Sequence, residues 1–470
     1  MGAIIFETQM TKGGFPVKNG KVNMLSGSIT KGLLAMTMPI ITMGVMASLF
    51  NLIDMAVLRF YADDSAVGAA GASGTIITVC TTLITGISVG SNVIVAKHIG
   101  AGNKTRVDNA VMTSFLLSLA LGFLFMVAGV ASAESVLKLT NCPDSLLAQA
   151  TLYFRLTFYG IPITTFYSFC ASILRATGDT KRPLYFSILS GIIKILLTLL
   201  FVAVFDLSIA GVVHASNIAS IVIGILAFCA LLRSNDAITV NFKKIRFDPT
   251  ELKGILQVGI PIGLQSALYS LANVVIATAV NSFGADATTG ISIANRFDGV
   301  MYQIIHAPSV ATIPFVAQNI GAGNIKRVKQ IITKSILITT VFGVTFGSLS
   351  AVFSEQLSSL LSSSPAVIEF SRQKMIIISS TYFICGINEV IGGVLKGMGK
   401  PIYPTIATLI FMCLFRFVWV YAIFPLRPNL TFLYLVWPIG WVLSIAALLI
   451  VYFPTIAKLQ KKAENLNNPS

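Results

Sequence analysis

Long apolar runs broken by short polar ones organise this chain. Twelve stretches of about 20 or more mostly apolar residues run approximately over 33–58, 66–96, 108–131, 152–174, 183–205, 209–232, 254–283, 287–319, 331–353, 375–395, 402–424 and 431–456. Each is long enough to cross the hydrocarbon core of a bilayer as a helix. The runs are continuous rather than alternating in polarity, which excludes the strands of a membrane barrel. An all-α membrane protein with twelve transmembrane helices is predicted, six in each half.

The halves are copies. IGAGN occurs at 99–103 and again at 320–324, and the same offset carries Leu174-Arg175 onto Leu395-Lys396. LRATGDTKRPLY (174–185) faces LKGMGKPIY (395–403) with a short deletion, and Pro39-Ile40 faces Pro261-Ile262. The repeat boundary falls near residue 240. The domains predicted are a cytoplasmic segment 1–32, a six-helix bundle 33–232, a cytoplasmic linker 233–253, a second bundle 254–456 and a cytoplasmic tail 457–470. A period this long is not a solenoid's. In so apolar a chain it points to a transporter of two parallel halves with the substrate path between them.

Composition agrees: 55% of residues are hydrophobic and 11% charged, with a mean hydropathy of +0.83, beyond any soluble domain's balance. The net charge of +15 would suggest nucleic acid in a soluble protein, so its placement matters more than its size. Twenty-four basic residues fall in the alternate loops and tails that include both termini, against six (Arg59, Lys138, Arg155, Arg372, Lys374 and Arg427) on the other side. By the positive-inside rule both termini are cytoplasmic, in a multi-pass protein of the cell inner membrane. The basic excess marks topology and attraction to the lipid bilayer, with no nucleic-acid partner expected.

The first 30 residues lack a signal-peptide pattern, so the first span is expected to act as the address. Five of six cysteines lie in predicted spans and Cys142 stands alone in a loop, which gives neither a disulfide framework nor a metal spacing. There is no phosphate loop for ATP, and no nucleophile motif or clustered histidines for an enzyme. No cofactor is expected, and energy must come from an ion gradient. Asp248-Pro249-Thr250-Glu251 reads as a helix start, with Asp248 as cap.

Three basic residues, Lys194, Arg296 and Arg416, and three acids, Asp54, Asp298 and Glu389, fall within the spans. An ionisable group there costs roughly 3 kcal/mol or more, so each is a functional candidate. The alternative for any one of them is an ion pair that only fixes packing. Burial favours the protonated form of a carboxylate and a nearby cation favours the ionised one, so a movable partner can switch it. Pro39, fifteen residues before Asp54, removes a backbone hydrogen bond and permits a hinge in the same helix.

Along essentially its whole length the chain resembles the multidrug and toxic compound extrusion (MATE) family, closer to its DinF-like than its NorM-like branch. The resemblance rests on the twelve spans in two homologous halves, Pro39, NLIDMAVL at 51–58, IGAGN after the second and eighth spans, and LRATGDTKRP after the fourth. It implies two six-helix bundles in a V, alternately open to either side, and export of a small organic substrate against entry of protons or sodium by a monomer.

Asp54 matches the family's functional aspartate of the first helix, although its depth also allows a solvated outer end. The fifth span departs from the family: where many relatives carry Asn and, four residues on, Asp, this chain has Lys194 and Thr198. A lysine there repels sodium and can pair with Asp54, which favours protons. In the sixth span His214 is either a proton relay or a packing residue. Asn51, Gln265, Asn273, Asn295, Asp298, Glu389 and Arg416 are candidate substrate-cavity residues. Glu389 and Arg416 are expected to pair, as a functional site or a structural clamp, and Arg296 and Asp298, two residues apart, each to meet another helix. The function expected is multidrug efflux of cationic or amphipathic organic compounds by an ion-coupled, proton-driven antiporter; the alternative is a lipid-linked saccharide flippase of the same superfamily.

Overall fold

A computed structural model describes residues 21–61, 64–140, 142–233 and 247–467. The predicted cytoplasmic positions Lys12, Lys18, Lys243, Lys244 and Arg246 lie outside the described residues. Every regular element among the described residues is helical. The N-terminal series is α1 (Ile29–Tyr61), α2 (Asp64–Gly100), α3 (Lys104–Leu139), α4 (Asp144–Ala176), α5 (Lys181–Leu199) and α6 (Ser208–Leu232). The C-terminal series is α7 (Pro249–Asn281), α8 (Ala285–Gly321), α9 (Ile325–Val352), the short α10 (Ser354–Ser359), α11 (Pro365–Ser380), α12 (Tyr382–Gly397), α13 (Ile402–Ala407), α14 (Phe415–Val418), α15 (Leu430–Tyr434) and α16 (Val436–Asn467). Among the described residues eleven helices are each long and apolar enough to cross a membrane, and α11 with α12, bent by 48° at their junction, pass the same test together, which makes up to twelve spans. The tenth run expected at 375–395 is this broken pair. π-helical turns follow α5 at Leu200–Val204 and flank α14 at Thr408–Leu414 and Trp419–Ile423.

The repeated motifs turn out to be turn chemistry. In both IGAGN copies the second glycine is left-handed, Gly102 at φ 68° and Gly323 at φ 71°, a conformation that ends a helix at little cost only for glycine. The asparagine then caps the next helix: the side chains of Asn103 and Asn324 accept from the backbone N–H of Arg106 and Arg327. Gly178 and Gly399, a second equivalent pair, are left-handed too.

The chain forms two compact units, and the border between them runs through helices instead of the linker. One holds the described residues up to Ser26 with Met46–Gly263; the other holds Gly27–Val45 and the chain from Leu264 onward. The first half of α1 thus belongs with the second unit and the first half of α7 with the first. Glycines account for the latter. A Cβ on Gly86 would lie 2.3 Å from the Cα of Gly263, and one on Gly90 would lie 2.2 Å from the carbonyl oxygen of Ile255. Such contacts need bare backbone, the way small residues pack helices in lipid.

In the first unit α4 is central, packed on α2, α3 and α6, around a core that includes Phe154, Phe158, Ile161 and Val202. In the second, α8 packs on α9, α11 and α12, over a core that includes Ile305, Tyr382, Trp419 and Trp441. Outward faces carry exposed Phe123, Leu124, Val127, Leu196, Ile450 and Phe453, as a lipid solvent requires.

Candidate functional site

Each unit contains a polar cavity. The first encloses about 260 Å³ and is lined by Asn51 and Asp54 of α1, Tyr153 and Thr157 of α4, Lys194 of α5, and Ser216 and Asn217 of α6. Lys194 Nζ stands 2.5 Å from Asp54 Oδ2, the two side chains 19% and 11% exposed. This brings together the two charges that the sequence singles out. Among the described residues the other Asp54 oxygen, Oδ1, is buried with no hydrogen-bond partner, and Lys194 is what holds the carboxylate there. Asn217 spends its amide on the carbonyl of Leu156 at 3.0 Å.

Two predicted members of this site stand apart from it. Thr198 is fully buried with its hydroxyl unpartnered, one helical turn beyond Lys194 and outside the cavity lining. His214 is exposed, and the cavity wall uses Val212, Val213, Ser216 and Asn217 without it. Pro39 is buried inside α1, in the half of that helix that belongs to the second unit.

The second cavity encloses about 370 Å³, and its lining includes Tyr269, Asn273, Asn295, Asp298, Lys374 and Trp437. Lys374 Nζ lies 2.7 Å from Asp298 Oδ2, donates to the side-chain oxygen of Asn295, and sits 5.7 Å over the ring of Trp437. This corrects the sequence reading, which put Lys374 outside the membrane because the unbroken apolar run starts at 375. Helix α11 starts earlier, at Pro365, and Lys374 is 3% exposed. Ser364-Pro365 is a helix-start signal that marks this boundary.

The buried set changes accordingly. Arg296 is exposed, so it is not a buried charge; Asp298 meets another helix as expected, through Lys374. Glu389 and Arg416 form no ion pair. Arg416, 1% exposed, donates from Nη1 to Asn273 Oδ1 at 2.7 Å and lies over Tyr269 and Trp437 at 5.1 and 5.4 Å. Glu389 instead faces His306 Nε2 at 3.7 Å and accepts from the Tyr302 hydroxyl at 3.5 Å. Gln265 donates to Thr408 Oγ1 at 2.8 Å. Of the expected substrate-cavity residues, Asn273, Asn295 and Asp298 line this cavity, Asn51 lines the first, and Gln265, Glu389 and Arg416 line neither.

A third cluster was not anticipated. Glu251 at the start of α7 is 3% exposed and takes Arg106 Nη1 at 2.8 Å and His98 Nε2 at 2.9 Å. Asp248 caps α7 as expected, accepting from the N–H of Thr250 and Glu251, and also takes the Asn109 amide. Desolvation pushes the Asp248 carboxyl up, but those donors outweigh it and hold it below the ordinary carboxylate range. Asp248 and Glu251 bind α7 to α2 and α3 within the first unit.

Two bundles of membrane-spanning helices, each with a charged cavity, define a transporter-like architecture. The MatE family model matches the chain twice, over residues 39–200 and 261–422, starting at the two equivalent prolines, and the chain belongs to this family of multi-pass membrane transporters. Among its relatives, the probable multidrug resistance protein YpnP of Bacillus subtilis is 27% identical over 83% of this chain and 87% of that protein. The probable multidrug resistance protein YoeA of the same organism is 25% identical over 81% and 84%. A solved MATE structure, crystallised in complex with MaL6, superposes with a TM-score of 0.87 over 95% of this chain and 100% of that one at 20% identity, a likeness of fold. The flippase alternative finds no support in these relatives.

Proposed function

We propose that this chain is a proton-driven antiporter that exports cationic or amphipathic organic compounds, working as a monomer in the cell inner membrane with both termini cytoplasmic. The observation that carries the reading is the Lys194–Asp54 contact at 2.5 Å inside the first cavity. Protonating Asp54 removes the charge that Lys194 pairs with, and a buried ammonium without its counter-ion is strongly disfavoured. Arrival and departure of one proton therefore change the electrostatics of the whole cavity, where a substrate can respond. A sodium ion seeking oxygen ligands would meet the ammonium of Lys194. The relatives' names support the export of drug-like compounds, and the basic loops support the orientation.

Efflux of a fluorescent organic cation from proteoliposomes tests this, with a pH gradient and a sodium gradient imposed separately. Transport is expected to follow the pH gradient and to be nearly indifferent to sodium. Efflux that runs on sodium with the pH gradient collapsed overturns it.

A further inference from the structure

The charges around the second cavity do not cancel locally. Asp298 is committed to Lys374, and Glu389 makes its contacts with Tyr302 and His306. Arg416 meets neutral side chains, donating to Asn273 and reaching the Tyr269 hydroxyl, and makes no ion pair among the described residues. Its Nη2 is buried with no acceptor, as is the hydroxyl of Tyr434, a residue of the cavity wall. Tyr269 and Trp437 lie over the guanidinium, which leaves in-plane donors at its edge, the geometry that takes a carboxylate or phosphate in fork fashion. The arginine sits in a single α-helical turn between two π-helical stretches, an irregularity common at functional sites.

We propose that the second cavity binds an aromatic anion, a ring bearing a carboxylate, sulfonate or phosphate, with Arg416 supplying the countercharge and the aromatic side chains of the cavity wall, Trp441 and Tyr382 among them, the apolar contacts. Arg416 stands one side chain behind the wall, and its three contacts, Tyr269, Asn273 and Trp437, all line the cavity. Asn273 therefore holds the place the anionic group takes. An organic cation would instead approach two existing cations and compete with Lys374 for Asp298. The inference takes the amphipathic part of the export reading and narrows it to anions at this cavity, and rests on that reading only for the ligand being cargo.

Trp437 and Trp441 line the cavity and the chain has three tryptophans, so their emission reports binding to the purified protein in nanodiscs. The probes are anthracene-9-carboxylate and anthracen-9-ylmethylammonium, one ring with opposite charges. The carboxylate is expected to quench saturably and to bind at least about ten-fold more tightly than the ammonium. Arg416→Gln removes the charge and Asn273→Asp supplies a permanent internal counter-ion while retaining size; each is expected to weaken carboxylate binding about ten-fold and spare the ammonium. Because Asn273→Asp adds a partner to a buried cation, it keeps the test open if Arg416→Gln fails to fold. Equal binding of both probes, or wild-type carboxylate affinity in folded Asn273→Asp, overturns the proposal. No ion gradient enters the assay, so failure here is separate from failure of proton coupling.

Discussion

The two cavities occupy equivalent parts of duplicated bundles, yet their charges sit at different positions. Asp54 and Ile276 each follow their repeat's proline, Pro39 or Pro261, by fifteen residues, and each lines its own cavity. Tyr153 and Lys374 each precede Leu174 or Leu395 by twenty-one residues and again line opposite cavities. Thr198 and Arg416 each lie fifteen residues beyond Pro183 or Pro401. Carboxylate and lysine meet on α1 and α5 in one unit and on α8 and α11 in the other. Duplication has kept the backbone, down to the capped turns and the π-helical turn after Thr198 and after Arg416, while the polar groups changed. The same wall positions can therefore serve different ligands.

If the first cavity couples ions and the second does not, the largest contrast is between two isosteric substitutions. Asp54→Asn is expected to abolish pH-driven export, to the level of empty vesicles, with normal amounts of protein in the membrane. Asp298→Asn is expected to leave export dependent on the pH gradient. Full efflux by well-expressed Asp54→Asn, or loss of pH dependence in Asp298→Asn alone, breaks the contrast.

Stability should rank the two pairs in the opposite order. Lys374 is 3% exposed and Lys194 19%, so loss of its carboxylate strands Lys374 more completely. Removing one partner of a buried pair costs about 3 kcal/mol or more. Asp298→Asn is expected to cost that much in chemical denaturation in detergent, Asp54→Asn clearly less, and Asp298→Asn with Lys374→Met to recover most of the loss. Equal costs at both sites would mean that burial does not distinguish them.

What could be read from the sequence follows from what lipid allows. Span number, the duplication and the meeting of Asp54 with Lys194 were legible, because long apolar runs, repeated turn residues and rare charges all stand out against a uniform background. Facing was not. In a helix that is apolar all round, neither the lipid side nor the core side marks itself, so His214 and Arg296, which are exposed, read like the half-buried Lys194 and the buried Arg416. Lys374 was hidden by a helix start that is polar, and the commitment of Arg416 to Asn273, Tyr269 and Trp437 instead of Glu389 depends on crossings no spacing reveals. The division of α1 and α7 between units rests on glycine contacts such as Gly86 with Gly263, where one glycine in a run looks like any other.

The smallest effect expected is at His214, and it bears on whether the first cavity needs any titrating group besides Asp54. His214 lies on the exposed face of α6, while Val213 and Asn217, four residues apart on one face, line the cavity. A relay has to reach its carboxylate directly or through one water, and the lining of the cavity does not include His214. His214→Ala is accordingly expected to leave both the rate and the pH profile of efflux unchanged within about two-fold, since exposed positions away from such features shift free energies by only about 0.5 kcal/mol. Asn217→Ala, which takes away the amide bonded to Leu156 and opens the wall beside Lys194, should slow transport more. A displaced pH profile in His214→Ala with an unchanged one in Asn217→Ala would reverse the assignment and bring the histidine back into the coupling site.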